Sequence, residues 1–104
     1  MANVKVQIKV TTSANVNELY LVGNTSNLGE WNAENAVKLT YCDECKAYFT
    51  NKMLPAGEQV EFKVLAGKDW AFVEKGGYGE EVSNHVFTVE KGQVVEVVAY
   101  SFAN

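Results

Sequence analysis

The sequence predicts an all-β chain folded as an antiparallel sandwich or barrel, on three observations. Short apolar runs alternate with polar residues at a period of two, turn-forming residues interrupt them at close spacing, and no window carries a convincing helical period. The chain has 104 residues, of which 47% are hydrophobic, enough for one ordinary core and short of two. We therefore read residues 1–104 as a single domain, without linker, repeat or low-complexity segment.

The elements follow in order. "VKVQIKV" (Val4–Val10) turns Val4, Val6, Ile8 and Val10 to one face and Lys5, Gln7 and Lys9 to the other, a strand with one buried side. "ELYLVG" is a second strand, stopped by Gly23. "AVKLTYC" and "CKAYFTNKML" flank Asp43-Glu44 and read as a hairpin with a cysteine at each side of its neck. "LPAGE" is a turn, and "QVEFKVLAG" after it places Val60, Phe62 and Val64 on one face and Glu61, Lys63 and Leu65 on the other. "DWAFVEKGGYGEE" reads as a short strand entering a glycine-rich loop. "NHVFTVE" and "VVEVVAYSFA" are the final strands, joined at Lys91-Gly92, for about eight in all.

Composition narrows the function. Thirteen acidic against nine basic residues give a formal net charge of -4, with no basic stripe, so a nucleic-acid partner is not expected. No apolar run approaches the ~20 residues of a membrane span, and no leader is visible before the first strand. His85, the single histidine, precludes a multi-histidine metal site and reads as a strand-edge residue without a special role. Cys42 and Cys45 lack further ligands for zinc and the βαβ setting of a redox motif, which leaves a small disulfide across the hairpin tip or two free thiols. Asp43-Glu44 and Glu80-Glu81 are neighbouring carboxylates on loops, not a pair held across a cleft as glycoside hydrolysis needs, so no enzyme is expected. No cofactor is implied.

Four pieces in a fixed order carry more specific information: Tyr20-Leu21-Val22-Gly23, Leu28-Gly29-Glu30-Trp31, Leu54-Pro55-Ala56-Gly57 and Val60-Glu61-Phe62-Lys63. Over roughly Val4 to Tyr100 the chain resembles the starch-binding carbohydrate-binding modules of family twenty. The resemblance implies an immunoglobulin-like β-sandwich of seven to eight strands that binds α-1,4-linked glucans, maltooligosaccharides included, without catalysis. It implies a secreted or cell-surface setting within a longer amylase-type or surface protein, and in that setting Cys42 and Cys45 are expected to be bonded.

The same resemblance supplies the expected site. Trp31 and Lys63 match by motif, Trp70 is the second aromatic, and Asn84 is the amide that joins them at the sugar hydroxyls. The chain differs from the family where Trp70 is followed by Ala71, and where Asn84-His85 arrives only after the insertion "EKGGYGEEVS" at 74–83. Tyr78 in that insertion is a further carbohydrate-binding candidate. Tyr20 and Tyr41 are candidates for a second glucan site, with Tyr48 as an alternative partner for Tyr20. On residues alone both tryptophans read as core, since sandwiches commonly bury one; with the resemblance they read as exposed stacking platforms, Leu28 anchoring the first from beneath and Gly29 permitting its turn. The alternative is a structural or adhesive immunoglobulin-like domain whose aromatics serve the core or a protein partner.

Overall fold

A computed structural model describes residues 2–103. Its strands are β1 (Asn3–Thr12), β2 (Tyr20–Gly23), β3 (Val37–Lys38), β4 (Thr40–Cys42), β5 (Ala47–Pro55), β6 (Gln59–Leu65), β7 (Glu74–Lys75), β8 (His85–Thr88), β9 (Gln93–Ala99) and β10 (Ser101–Phe102). They form one four-stranded sheet in the order β4-β5-β1-β9, a second in the order β3-β2-β6-β8, and a small β10-β7 pair. The two larger sheets enclose the main core, so the fold class is the expected β-sandwich.

That core follows from the period-two pattern. Val6, Ile8 and Val10 of β1 are fully buried, as are Val60, Phe62 and Val64 of β6 and Leu19 and Leu21 at β2. Apolar side chains on alternate positions leave water together only if the two sheets close on one another, and each large aliphatic buried contributes about 1.5–3 kcal/mol. Phe87 meets Phe62 edge-on at 6.0 Å between ring centroids.

Four features depart from the sequence reading. "AVKLTYC" is two short strands in different sheets: Leu39 between β3 and β4 is buried, its N–H donates to the Leu19 carbonyl at 2.9 Å, and the chain changes sheet there. One pairing is parallel, β1 with β9, in register from Val6 opposite Gln93 to Thr12 opposite Ala99. The sequence between them builds the whole second sheet and supplies the crossover that parallel neighbours require. "DWAF" is a 3-10 turn (Trp70–Phe72), because the Asp69 side chain accepts from the Ala71 N–H at 2.9 Å and caps it. Finally, the outer face of the second sheet is not wholly wet. Tyr20, Val22 and Leu65 are buried there with Ala33 and Ala36 in a second cluster, beneath the loops that follow β2 and β6.

The hairpin tip carries a Cys42–Cys45 disulfide with Cα atoms 5.2 Å apart, closing the turn between β4 and β5. Tyr48 of β5 is buried beside it, and Tyr41 packs on Tyr48 at 4.8 Å with ring planes 54° apart.

Burial lifts the Tyr20 phenol above its ordinary 10.0, with the neighbouring Glu18 carboxylate and its hydrogen bond adding to the effect. Burial, then the adjacent Tyr41, does the same for Tyr48. The folded chain therefore keeps two protons that the unfolded chain gives up near pH 10.0. Stability from these neutral phenols is fully present below that value and is lost as pH rises through the folded ones. Melting curves are expected to shift down once pH exceeds about 10, with Tyr20→Phe and Tyr48→Phe each flattening the dependence; an unchanged slope in both variants would remove the assignment.

Candidate functional site

The loop after β2 has an unusual local geometry. Leu28 is fully buried, and then Gly29, Glu30 and Trp31 hold φ of +82°, +49° and +64° in succession. A left-handed backbone is easy for glycine but costs about 1–2 kcal/mol for a residue with a Cβ. A Cβ at Gly29 would lie 2.7 Å from the Asn35 carbonyl oxygen, so this position admits glycine for a steric reason as well. The run turns the chain back on itself and lays Trp31 on the second cluster, against Tyr20, Val22, Leu65 and their neighbours.

Asparagines fasten the loop. The Glu61 N–H donates to the Asn24 side-chain carbonyl at 3.0 Å, while the Asn24 N–H donates to the Glu61 carbonyl at 3.0 Å. Asn27 donates across to the Met53 carbonyl at 2.6 Å, reaching the other sheet. Asn32 caps the short 3-10 turn Ala33–Asn35 by accepting from the Glu34 N–H at 3.0 Å. The polar loop is thus held by side chains that substitute for backbone partners.

A second loop, between β6 and β7, is closed by the Ala66 N–H donating to the Phe72 carbonyl at 3.0 Å. It presents Trp70, 40% exposed. The Trp70 indole Nε1–H donates to the Trp31 carbonyl at 3.3 Å, and the two rings lie 6.3 Å apart with planes tilted by 31°. Trp31, expected to stand open, is half-buried because its inner face is spent on the cluster beneath. Glu30, Trp31, Asn32, Ala33, Glu34, Lys68, Asp69 and Trp70 line one open cleft.

The remaining expected residues are placed as follows. Lys63 faces the outer side of β6 opposite Val22 and donates from Nζ to the Val82 carbonyl at 2.6 Å, which fastens the glycine-rich segment to the sheet. Asn84 donates to Glu61 Oε1 at 3.3 Å. Tyr78 stands 98% exposed on the glycine turn and closes over nothing. Tyr20 is 7% exposed, beneath the loops, with the Lys68 ammonium 6.0 Å from its ring centroid. It offers no face for a second site and lies in the opposite sheet from Tyr41; Tyr41 instead meets Tyr48 over an open surface lined also by Thr12, Asn17 and Lys46.

Sequence reasoning missed one polar feature. Glu74 is 2% exposed; its Oε1 accepts from the Val64 N–H at 2.9 Å and from His85 Nε2–H at 2.7 Å. His85, read as a bystander, is thus the partner of a buried carboxylate, and its ring packs on Phe62 at 5.2 Å. The pair clamps the two ends of the 75–84 segment. Its members sit eleven positions apart across an irregular loop, a spacing that local pattern does not register.

The family model described as a starch binding domain matches residues 2–98. Among solved structures the chain is similar to the glucoamylase of Hormoconis resinae, with a TM-score of 0.75 at 19% identity over 96% of this chain. It is similar to the family 15 glucoamylase of Hypocrea jecorina, with a TM-score of 0.69 at 25% identity over 97% of this chain. It spans only 18% of either glucoamylase. It is also similar to the family 20 module of the maltotetraose-forming amylase of Pseudomonas saccharophila STB07, with a TM-score of 0.65 at 22% identity, covering 91% of this chain and 99% of that one. A search of curated protein sequences returns no match.

The left-handed run makes a direct prediction. Gly29→Ala is expected to lower stability by roughly 1–3 kcal/mol in urea unfolding, whereas Glu30→Gly, which relieves the neighbouring position, leaves the midpoint unchanged or raises it. Equal behaviour of the two variants would mean that the turn relaxes without cost.

Proposed function

The chain belongs to the starch-binding domain family, and from that premise we propose that it binds α-1,4-linked glucans by stacking glucose units on Trp31 and Trp70, without cleaving them. The observation that carries the reading is the adjacency of the two indoles in one cleft, tilted by 31° and joined by a hydrogen bond. A pyranose has an apolar C–H face and a rim of hydroxyls; an indole is flat, large and electron-rich. Stacking the two withdraws about 100 Å² of apolar surface from water, or about 2.5 kcal/mol per sugar at ~25 cal/mol/Å² before ordering costs. Two platforms set at an angle suit successive glucoses of a coiled α-glucan better than the flat ribbon of a β-glucan. Lys63 keeps two ammonium N–H groups beyond the one given to Val82, and Asn84 keeps its side-chain carbonyl, so both retain capacity for sugar hydroxyls.

Affinity of one such site lies in the micromolar to millimolar range, roughly 4–8 kcal/mol. That suits a module whose task is to hold an attached amylase-type enzyme, or a surface protein, against a polysaccharide with many repeats, and it suits a secreted or cell-surface setting.

Migration in a native gel containing amylopectin tests the reading. The chain is expected to be retarded, and Trp70→Ala to lose most of the retardation while the melting temperature falls by only a few degrees, since this ring is 40% exposed. Trp31→Ala abolishes retardation too but costs more stability, because half of that ring is packed. Free migration of the unaltered chain would favour a structural or adhesive domain instead.

A further inference from the structure

The cleft that holds the indoles is lined by polar groups other than those the family resemblance supplied. Lys63 and Asn84 lie outside its lining, each with one bond made, to Val82 and to Glu61, and can reach a sugar only from beyond its rim. The charged and amide residues that line it come from the two tryptophan loops: Glu30, Asn32, Glu34, Lys68 and Asp69. Two of these are committed to local structure, Asn32 Oδ1 to the Glu34 N–H and Asp69 Oδ1 to the Ala71 N–H. Glu30 sits within the left-handed run and also borders a separate depression with Ser26, Gly29 and Asn35.

Lys68 and Glu34 remain, one on each loop. Both are exposed, and the Lys68 ammonium lies above the Tyr20 ring, part of the floor on which Trp31 packs. Among the described residues, ion pairs within 4.0 Å join Lys9 to Glu96, Lys38 to Glu18, Lys75 to Glu81 and His85 to Glu74; Lys68 and Glu34 are in none of them. Opposite charges therefore face the same cleft, beside two aromatic platforms, without closing on each other.

We propose that Lys68 and Glu34 read the hydroxyls of the sugar stacked on Trp31 and Trp70. This rests on the α-glucan reading above and names the residues that set its specificity. The 2- and 3-hydroxyls of a glucose unit project from the ring edge as a vicinal diol. Each hydroxyl both donates and accepts, so an ammonium and a carboxylate flanking the stacked ring satisfy the pair: Lys68 donates to one oxygen and Glu34 accepts from the other hydroxyl. Hydrogen bonds to charged groups are stronger than neutral ones, and the charge separation keeps the two side chains available to the ligand.

Calorimetric titration of the purified chain with maltoheptaose at pH 7 tests this. Lys68→Met keeps the aliphatic stem over Tyr20 and is expected to bind about tenfold more weakly; Glu34→Gln binds about fivefold more weakly; Lys68→Arg recovers most of the affinity. Melting temperatures of all three stay within about 2 °C of the unaltered chain, as for substitutions of exposed side chains. Affinity within about twofold in both Lys68→Met and Glu34→Gln, while Trp70→Ala loses binding, overturns the assignment and leaves the stacking site standing. A loss confined to Lys63→Met overturns it as well. An unaltered chain that binds no maltoheptaose removes the α-glucan reading itself, and the assignment with it.

Discussion

The left-handed run at Gly29, Glu30 and Trp31 is the constraint on which the rest of the site depends. A loop leaving the end of β2 in ordinary extended backbone would carry its tryptophan away from the sheet. Three successive positive φ values instead reverse the chain within a few residues and return the indole to the outer face it had just left. Two of the three residues bear side chains, so the reversal stores conformational free energy of about 1–2 kcal/mol each. Leu28 holds the reversal in place from one side, fully buried in the main core, and Trp31 from the other, on the second cluster. Burying these two side chains offsets the backbone cost, and the turn is as much a product of packing as of the glycine.

The second cluster explains why this sandwich does not have a clean wet face. Tyr20, Val22 and Leu65 project outward from β2 and β6, where an isolated sheet would place polar residues. They are there because two loops cover them. The indole N–H of Trp70, bonded to the Trp31 carbonyl, ties the covering loops together, so neither aromatic is set independently of the other. At the sheet's far edge Glu74 and His85 make the corresponding polar lock: a carboxylate removed from water, satisfied by one backbone N–H and one imidazole. Removing either partner would leave a buried charge or a buried N–H without its bond, which is the costly case for polar groups in a core.

Local pattern made some of this legible and not the rest. The alternation of β1 and β6 specified which faces are buried, and the sheets close on those residues. Leu28 as an anchor and Gly29 as the turn residue could be read because each rule acts within a few positions: an apolar residue in a polar loop, a glycine before a reversal. The meeting of Trp31 with Trp70 was legible only through resemblance, since no local rule relates residues thirty-nine apart. The change of sheet at Leu39, the parallel register of β1 with β9, and the Glu74–His85 lock escaped for the same reason. Leu65 shows the limit clearly. Its position on the polar side of β6 was correctly read, yet its burial depends on a loop elsewhere in the chain. Tyr20 is the converse: a motif residue offered as a ligand platform, whose ring the fold uses as flooring.

The parallel pairing of β1 with β9 also governs how the molecule is presented. Both strands run the same way, so the backbone around Asn3 and that around Ser101 leave from opposite ends of a ten-residue strand, about 30 Å apart. The loop bearing Trp70 stands at the latter end, where Ala66 and Phe72 share a depression with Ser101 and Phe102. The loop that bears Trp31 springs from the other end, where Asn24 to Asn27 share a depression with Asn3, so the paired indoles are assembled from both ends of the sandwich and meet on its outer face between the two exits.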